Sequence, residues 1–350
     1  MSNGLYQIIY FCIKNNINYN LLLNKNFIAF IAQCLKMGKV NNKIKINSRT
    51  FKGYIQILDK YGLIIINSKK PLRAKLLYNP LLHNLLIYFG YENLKINNIE
   101  QDYTDDIKKE LSLYKKLRKN NEIAFKKIIE DFEVSFVYHS LSLEGNPITL
   151  PDTIKILKDK IIPADLRSQD VDELKNYQIA IAKMIKDSQS GKNLSLDYVL
   201  EYHRLAMSHR MNMVGKIRNV EVFIRNNSKF KLSRSKDILF ELNKLFNEYN
   251  QFIKKKVGLK EVIDFASYFH NQFQHIHPFV DGNSRITRLI TFHLLNSKDI
   301  PILDIPFGLL DDYLNKTKAS SKRNDQDYEK SLSRIILFNL KKINEKLNFS

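Results

Sequence analysis

The chain has 350 residues, 44% of them hydrophobic and 26% charged, so it is long enough for two domains and has a globular composition. Trp is absent and Gly and Pro are few, at 11 and 8, which favours helices over a turn-rich β architecture. The formal charge of +20 partly reflects the abundant Lys, Asn and Ile of a genome rich in A and T, so by itself it points only weakly to nucleic acid.

The two cysteines, Cys12 and Cys34, have no metal-type spacing and suit a reducing compartment. No basic start followed by a long apolar core marks a signal peptide. No apolar run reaches the roughly 18 residues of a membrane span. The expectation is a cytoplasmic protein without membrane contact, although export as a bacterial effector by signal-independent machinery fits the same composition.

Residues 1–100 read as a separate module, with 14 cations against Asp59, Glu92 and Glu100, a net +11. Two helices are expected at about Leu5–Cys12 and Asn26–Lys36. Asn47 and Ser48 offer N-caps to a third helix running to about Tyr61, with Phe51, Tyr54, Ile55 and Leu58 as its buried stripe. Arg49, Lys52, Gln56 and Lys60 are left towards solvent, and Gly62 ends the helix. Leu63–Ile66, a polar turn at Asn67–Pro71 and Leu72–Tyr78 read as a β-hairpin with a basic tip. This order resembles a winged helix-turn-helix domain. The resemblance implies DNA as a partner through residues 1–100, or else dimer or protein contact, so a homodimer is also compatible.

Residues 101–122 carry Ile107, Leu111, Tyr114 and Leu117 at helical spacing and read as a helical connector. From about Ile123 an apolar-periodic helix runs through Ile128, Phe132 and Phe136 to Ser140-Leu141-Ser142-Leu143-Glu144-Gly145-Asn146. Ser140 and Glu144, four apart, share a helix face, and Gly145 can cap the end. Further amphipathic helices are expected at 170–187 and at Tyr198–Met207, where His203 reads as a packed core histidine without a catalytic role. Val220, Val222 and Ile224, a turn at Asn226-Asn227-Ser228, then Phe230 and Leu232 read as a second β-hairpin.

The most informative stretch is His277-Pro278-Phe279-Val280-Asp281-Gly282-Asn283-Ser284-Arg285, continued by Ile286, Thr287 and Arg288. Apolar residues at helical spacing precede it, Pro278 stops that helix, and Ile286, Leu289, Ile290 and Leu294 begin another. A loop feeding a helix N-terminus suits an anion. Gly282 lets backbone approach a phosphate, and Arg285 and Arg288 lie three apart on one face. Asp281 is a hard oxygen ligand of the kind Mg²⁺ on phosphates prefers, and His277 can accept a proton near neutral pH. Base, metal ligand and phosphate cradle together suggest phosphoryl or nucleotidyl transfer. Zinc is not expected, because the offsets of His270, His275 and His277 do not bring three imidazoles to one face.

The string H-P-F-V-D-G-N-S-R-I-T-R resembles the Fic (Fido) signature, H-x-F-x-D/E-G-N-x-R-x-x-R. Ser284 departs from the family's usual Gly but stays small. Ser140 to Gly145 is similar to the family's N-terminal inhibitory motif, S/T-x-x-x-E-G/N. The resemblance implies a mainly α fold: a helical Fic core over 123–350 with a β-hairpin flap that aligns a target segment, beside the α+β module.

It also implies transfer of AMP from ATP, with Mg²⁺, to a Ser, Thr or Tyr hydroxyl of a target protein. His277 is then the base, Asp281 the metal ligand, and Gly282, Asn283, Ser284, Arg285 and Arg288 bind phosphates. Tyr313 borders the adenine pocket, and Glu144, held by Ser140, inhibits by pairing with Arg288. Two alternatives stand beside this. One is AMP removal at the same site. The other is a DNA-binding regulator whose Fic core senses ATP.

Overall fold

In the computed structural model all residues are described except 1, 15–16, 41–43, 45, 70, 97–101, 211, 225–226, 228, 302–303, 306, 318–322 and 350. The chain forms two compact units. The first comprises residues 1–102 with 149–151 and 306–312, and the second 103–148, 152–305 and 313–350.

The first unit contains α1 (Ser2–Lys14), α2 (Tyr19–Leu22), α3 (Lys25–Met37), α4 (Ser48–Lys60), β1 (Ile64–Lys69), β2 (Leu72–Leu76) and α5 (Pro80–Tyr88). Asn24 and Asn47 cap α3 and α4, the latter accepting from the Arg49 amide at 2.8 Å. Ile55 and Leu58 are buried, while Phe51 and Tyr54 set their rings against Phe30 of α3. β1 and β2 pair antiparallel in the register Ile64↔Leu76, with a bulge between Ile66 and Ser68. The expected basic tip includes Lys70, which lies outside the described residues. The sequence reading missed α5, which starts with Asn79 accepting from the Leu82 amide at 3.0 Å and with Pro80 in the first turn.

The second unit is helical. Its elements are α6 (Thr104–Asn120), α7 (Glu122–Ser142), α9 (Ser168–Gln189), α10 (Leu196–Ala206), α11 (Ile238–Ile253), α12 (Leu259–Ile276), α13 (Asn283–Ser297) and α15 (Asp325–Phe349). α8 (Leu150–Ile154) and α14 (Leu310–Lys316) each have residues assigned to both units. α13 is buried almost throughout, from Arg285 to Leu295, because α9, α10 and α12 cover it. α13 therefore runs through the centre of the bundle, and it carries two arginines into that centre. α6 packs on α15, and α7 on α9 and α15. No described helix is long and apolar enough to cross a membrane.

Among the described residues the two-stranded sheet of β1 and β2 is the only sheet. The stretch expected as the second hairpin has no ladder in its described residues, and Asn226 and Ser228 of its turn lie outside them. Arg218 supplies the order that a ladder would otherwise give. This buried side chain donates to the carbonyls of Val220 (2.8 Å), Ser233 (2.6 Å) and His277 (2.7 Å).

Candidate functional site

The site forms where α12 ends and α13 begins. Pro278 cannot continue α12, and His277 takes a left-handed conformation (φ 51°) as the C-cap, its amide donating to Phe273 O. His277 Nδ1 stands 3.2 Å from Gln274 O. A carbonyl can only accept, so Nδ1 carries the proton and Nε2 is the basic nitrogen.

The loop is closed by its own side chains. Asn283 Oδ1 accepts from Phe279 N at 2.9 Å, and its Nδ2 donates to Phe279 O at 2.7 Å. The Asn283 side chain is therefore spent on the loop, leaving its backbone amide for a ligand. Gly282 takes φ 84°, and a Cβ there would lie 2.9 Å from Met207 Sδ and 3.3 Å from His203 Nε2. Besides its freedom of φ, glycine is needed here because α10 presses against the loop. The amides of Asn283, Ser284 and Arg285 open α13, and first-turn amides have no helical partner.

His203 does more than fill the core. Its Nδ1 accepts from Gly215 N at 2.9 Å, so Nε2 carries the proton and donates to Asp281 O at 3.0 Å. Its ring stacks on buried Phe279 with centroids 3.8 Å apart. Burial pushes the imidazole down to about 4, so it stays neutral at physiological pH. Neither this histidine nor Arg218 was assigned a role from sequence, although both flank the signature's backbone. The string from Gly215 to Arg218 was the available signal.

Both arginines of α13 are charged groups inside the protein. Arg288, 1% exposed, donates from Nε to Ser140 Oγ at 2.6 Å and from Nη2 to Ser140 O at 2.9 Å. Nη2 also donates to Glu144 Oε1 at 3.0 Å. Arginine can only donate, so Ser140 Oγ–H is directed at Tyr177 Oη (2.8 Å), which donates in turn to Arg285 O (3.3 Å). Burial disfavours the Arg288 charge, but Tyr313, Glu144 and Tyr177 outweigh it and hold the guanidinium above its usual range. Gly145 at φ 94° ends α7, and the Glu144 amide closes the turn on Leu141 O.

Arg285 donates from Nη2 to Asp281 Oδ1 at 2.9 Å and from Nη1 to Glu173 of α9, while its buried Nε has no hydrogen-bond partner. Tyr313 does not line the cleft. It is buried behind Arg288, 3.0 Å from His270 Nε2, and burial pushes its hydroxyl up to about 12. The cleft has a volume of about 140 Å³ and is lined by Glu144, Phe223, His277, Asp281, Gly282 and Ser284, among others. His277, Asp281–Ser284 and Glu144 thus meet at one cavity, with both arginines beneath it and Tyr313 behind them.

The chain is similar to known proteins. Residues 193–295 match the Fic/DOC family. The chain carries a Fic domain. A protein adenylyltransferase Fic of Nematostella vectensis is 24% identical over 267 residues, covering 74% of this chain and 60% of that protein. One of Aedes aegypti is 26% identical over 186 residues, covering 52% and 36%. The chain therefore spans 60% or less of the length of these curated relatives. Among solved structures, a Fic domain containing signaling protein from Bacteroides thetaiotaomicron superposes with a TM-score of 0.63 at 21% identity, covering 70% of this chain and 98% of that one. A fragment of Fic-1 from C. elegans gives 0.56 at 17% identity, covering 77% and 78%. These similarities show a shared fold.

Proposed function

We propose that the protein is a protein adenylyltransferase that moves AMP from ATP to a hydroxyl of a target protein and is held inactive by Glu144. The observation that carries this reading is the Glu144–Arg288 pair at 3.0 Å above the signature loop. The relatives named protein adenylyltransferase supply the reaction class.

His277 Nε2 takes the proton from the target hydroxyl, whose oxygen attacks the α-phosphorus while pyrophosphate leaves. The α13 amides and Arg285 hold the phosphates, and Arg288 holds the γ-phosphate after Glu144 withdraws. Asp281 would hold Mg²⁺ on the phosphates. Its carboxylate is 43% exposed, and both of its hydrogen bonds fall on Oδ1, leaving Oδ2 for an ion. One carboxylate plus substrate phosphates and water is a usual Mg²⁺ shell, and the ion would supply charge neutralisation there.

Inhibition follows from charge. Glu144 lines the cleft of about 140 Å³ and already holds the Arg288 Nη2 donor, so a γ-phosphate meets a like charge where its anchor should be. Phe223, at the mouth of the cleft, is 82% exposed, which suits contact with a protein rather than a small acceptor.

The test uses ATP labelled at either the α- or the γ-phosphate, with Glu144→Gly protein and cell lysate. Label arriving on protein from the α position only, and absent with His277→Ala, is the expected result. Transfer of γ-label would make the protein a kinase and overturn the proposal.

A further inference from the structure

Glu144 has a counterpart on the other arginine. Glu173 projects from α9 onto Arg285 Nη1, and the pair is as shielded as the first, with side chains 17% and 4% exposed. Asp281, four residues before Arg285, already orients that guanidinium through Nη2. Glu173 is therefore not needed to aim it. It takes one Nη1 hydrogen and sets a negative charge beside a guanidinium that, on the proposed reading, meets phosphate.

The chain also links the two carboxylates. Asn146, two residues after Glu144, donates from Nδ2 to Glu173 Oε2 at 2.8 Å and to Asp170 O at 3.2 Å. Its amide orientation is fixed, because Oδ1 accepts from the Ile148 amide at 3.0 Å and that amide can only donate. Asn146 is 6% exposed, so this hydrogen bond is sheltered from water and correspondingly strong.

We propose that Glu173 is a second brake, acting on Arg285 as Glu144 acts on Arg288, and that Asn146 joins them into one device. A single displacement of the 144–146 turn then withdraws Glu144 from Arg288 and deprives Glu173 of the donor that holds it against Arg285. Both arginines become available together, so occupancy by ATP and release of the turn are coupled. The inference rests on the reading that these arginines meet phosphates. A purely orienting Glu173 would have the opposite effect, since its loss would then weaken nucleotide binding.

The experiment is a calorimetric titration of the full chain with a non-hydrolysable ATP analogue and Mg²⁺. It compares wild type, Glu173→Gln, Glu144→Gly, the double variant and Arg285→Lys. Glu173→Gln should bind the analogue about 5- to 20-fold more tightly than wild type, the scale of ordinary site–site coupling. It should tighten binding further in the Glu144→Gly background. Asn146→Ser adds no charge, can still accept from the Ile148 amide, loses the amide donor to Glu173, and should shift affinity the same way should Glu173→Gln fold poorly.

Unchanged or weaker binding by Glu173→Gln, with Arg285→Lys weakened, would overturn the second brake and leave the phosphate reading intact. Affinity indifferent to both substitutions would overturn the inference together with that reading.

Discussion

The signature loop and the segment beside it, 217–234, are built on opposite plans. In the loop nearly every polar side chain is engaged: Asn283 bridges Phe279, Asp281 takes Arg285, and His203 holds Asp281 O from outside. The other segment is tied at its ends by Arg218 and by the Ser233 amide on His275 O, while Val220 and Phe223 stand exposed between them. A site that must place a base and phosphate donors to within fractions of an ångström needs the first plan. A surface that must fit a polypeptide can use the second. The proposed function thus separates chemistry from target choice along the chain.

The largest expected effect comes from cutting the tie between the two regions. Arg218→Ala strands the carbonyls of Val220, Ser233 and His277 and should cost about 2–4 kcal/mol in denaturant unfolding. Unchanged stability would mean that the segment holds itself. His203→Phe keeps the stack on Phe279 but loses the donor to Asp281 O. It should lower kcat about tenfold with little change in KM for ATP, as expected when a site is slightly misplaced. His203→Gln, which can still donate, should recover most of that loss in the same steady-state assay.

A change outside both regions should leave transfer alone and alter only stability. Burial, reinforced by Glu130, raises the Glu133 carboxyl to about 7. Its folded value lies above its unfolded one, so its contribution is full below pH 4.5 and is lost as pH rises through about 7. Glu133→Gln should flatten that slope and be more stable than wild type above pH 7 by about 1–2 kcal/mol in thermal or denaturant melts. The smallest effect is Phe223→Ser. Stability should stay within about 0.5 kcal/mol while KM for the protein target rises severalfold, and an unaltered KM would remove Phe223 from the target surface.

Much of this was legible from residues close in sequence. The α4 cap at Asn47, the stop at Pro278, the loop from His277 to Arg288 and the Ser140–Glu144 face all rest on local spacing, and local spacing survives folding. What escaped were contacts across long separations. Glu173 reaches Arg285 over 112 positions, His203 reaches Asp281 over 78, and Arg218 reaches His277 over 59. A lone Glu or His in an amphipathic helix carries no mark of such a partner. Alternating Val220, Val222 and Ile224 suggested a ladder, but the described residues there are held by Arg218 and by the Ser233 amide on His275 O instead. Tyr313 packs on His270 and Tyr328, a setting fixed by α12 and α15 rather than by its neighbours in sequence.

The central claim is that Glu144 restrains a competent transfer site. The most direct measurement is the rate of label transfer from α-labelled ATP by wild type, Glu144→Gly and Glu144→Gly/His277→Ala. The account predicts transfer well above wild type in the single variant and a fall on the order of 10² to 10⁴ in the double, the usual worth of a positioned base. A Glu144→Gly protein no faster than wild type would contradict it.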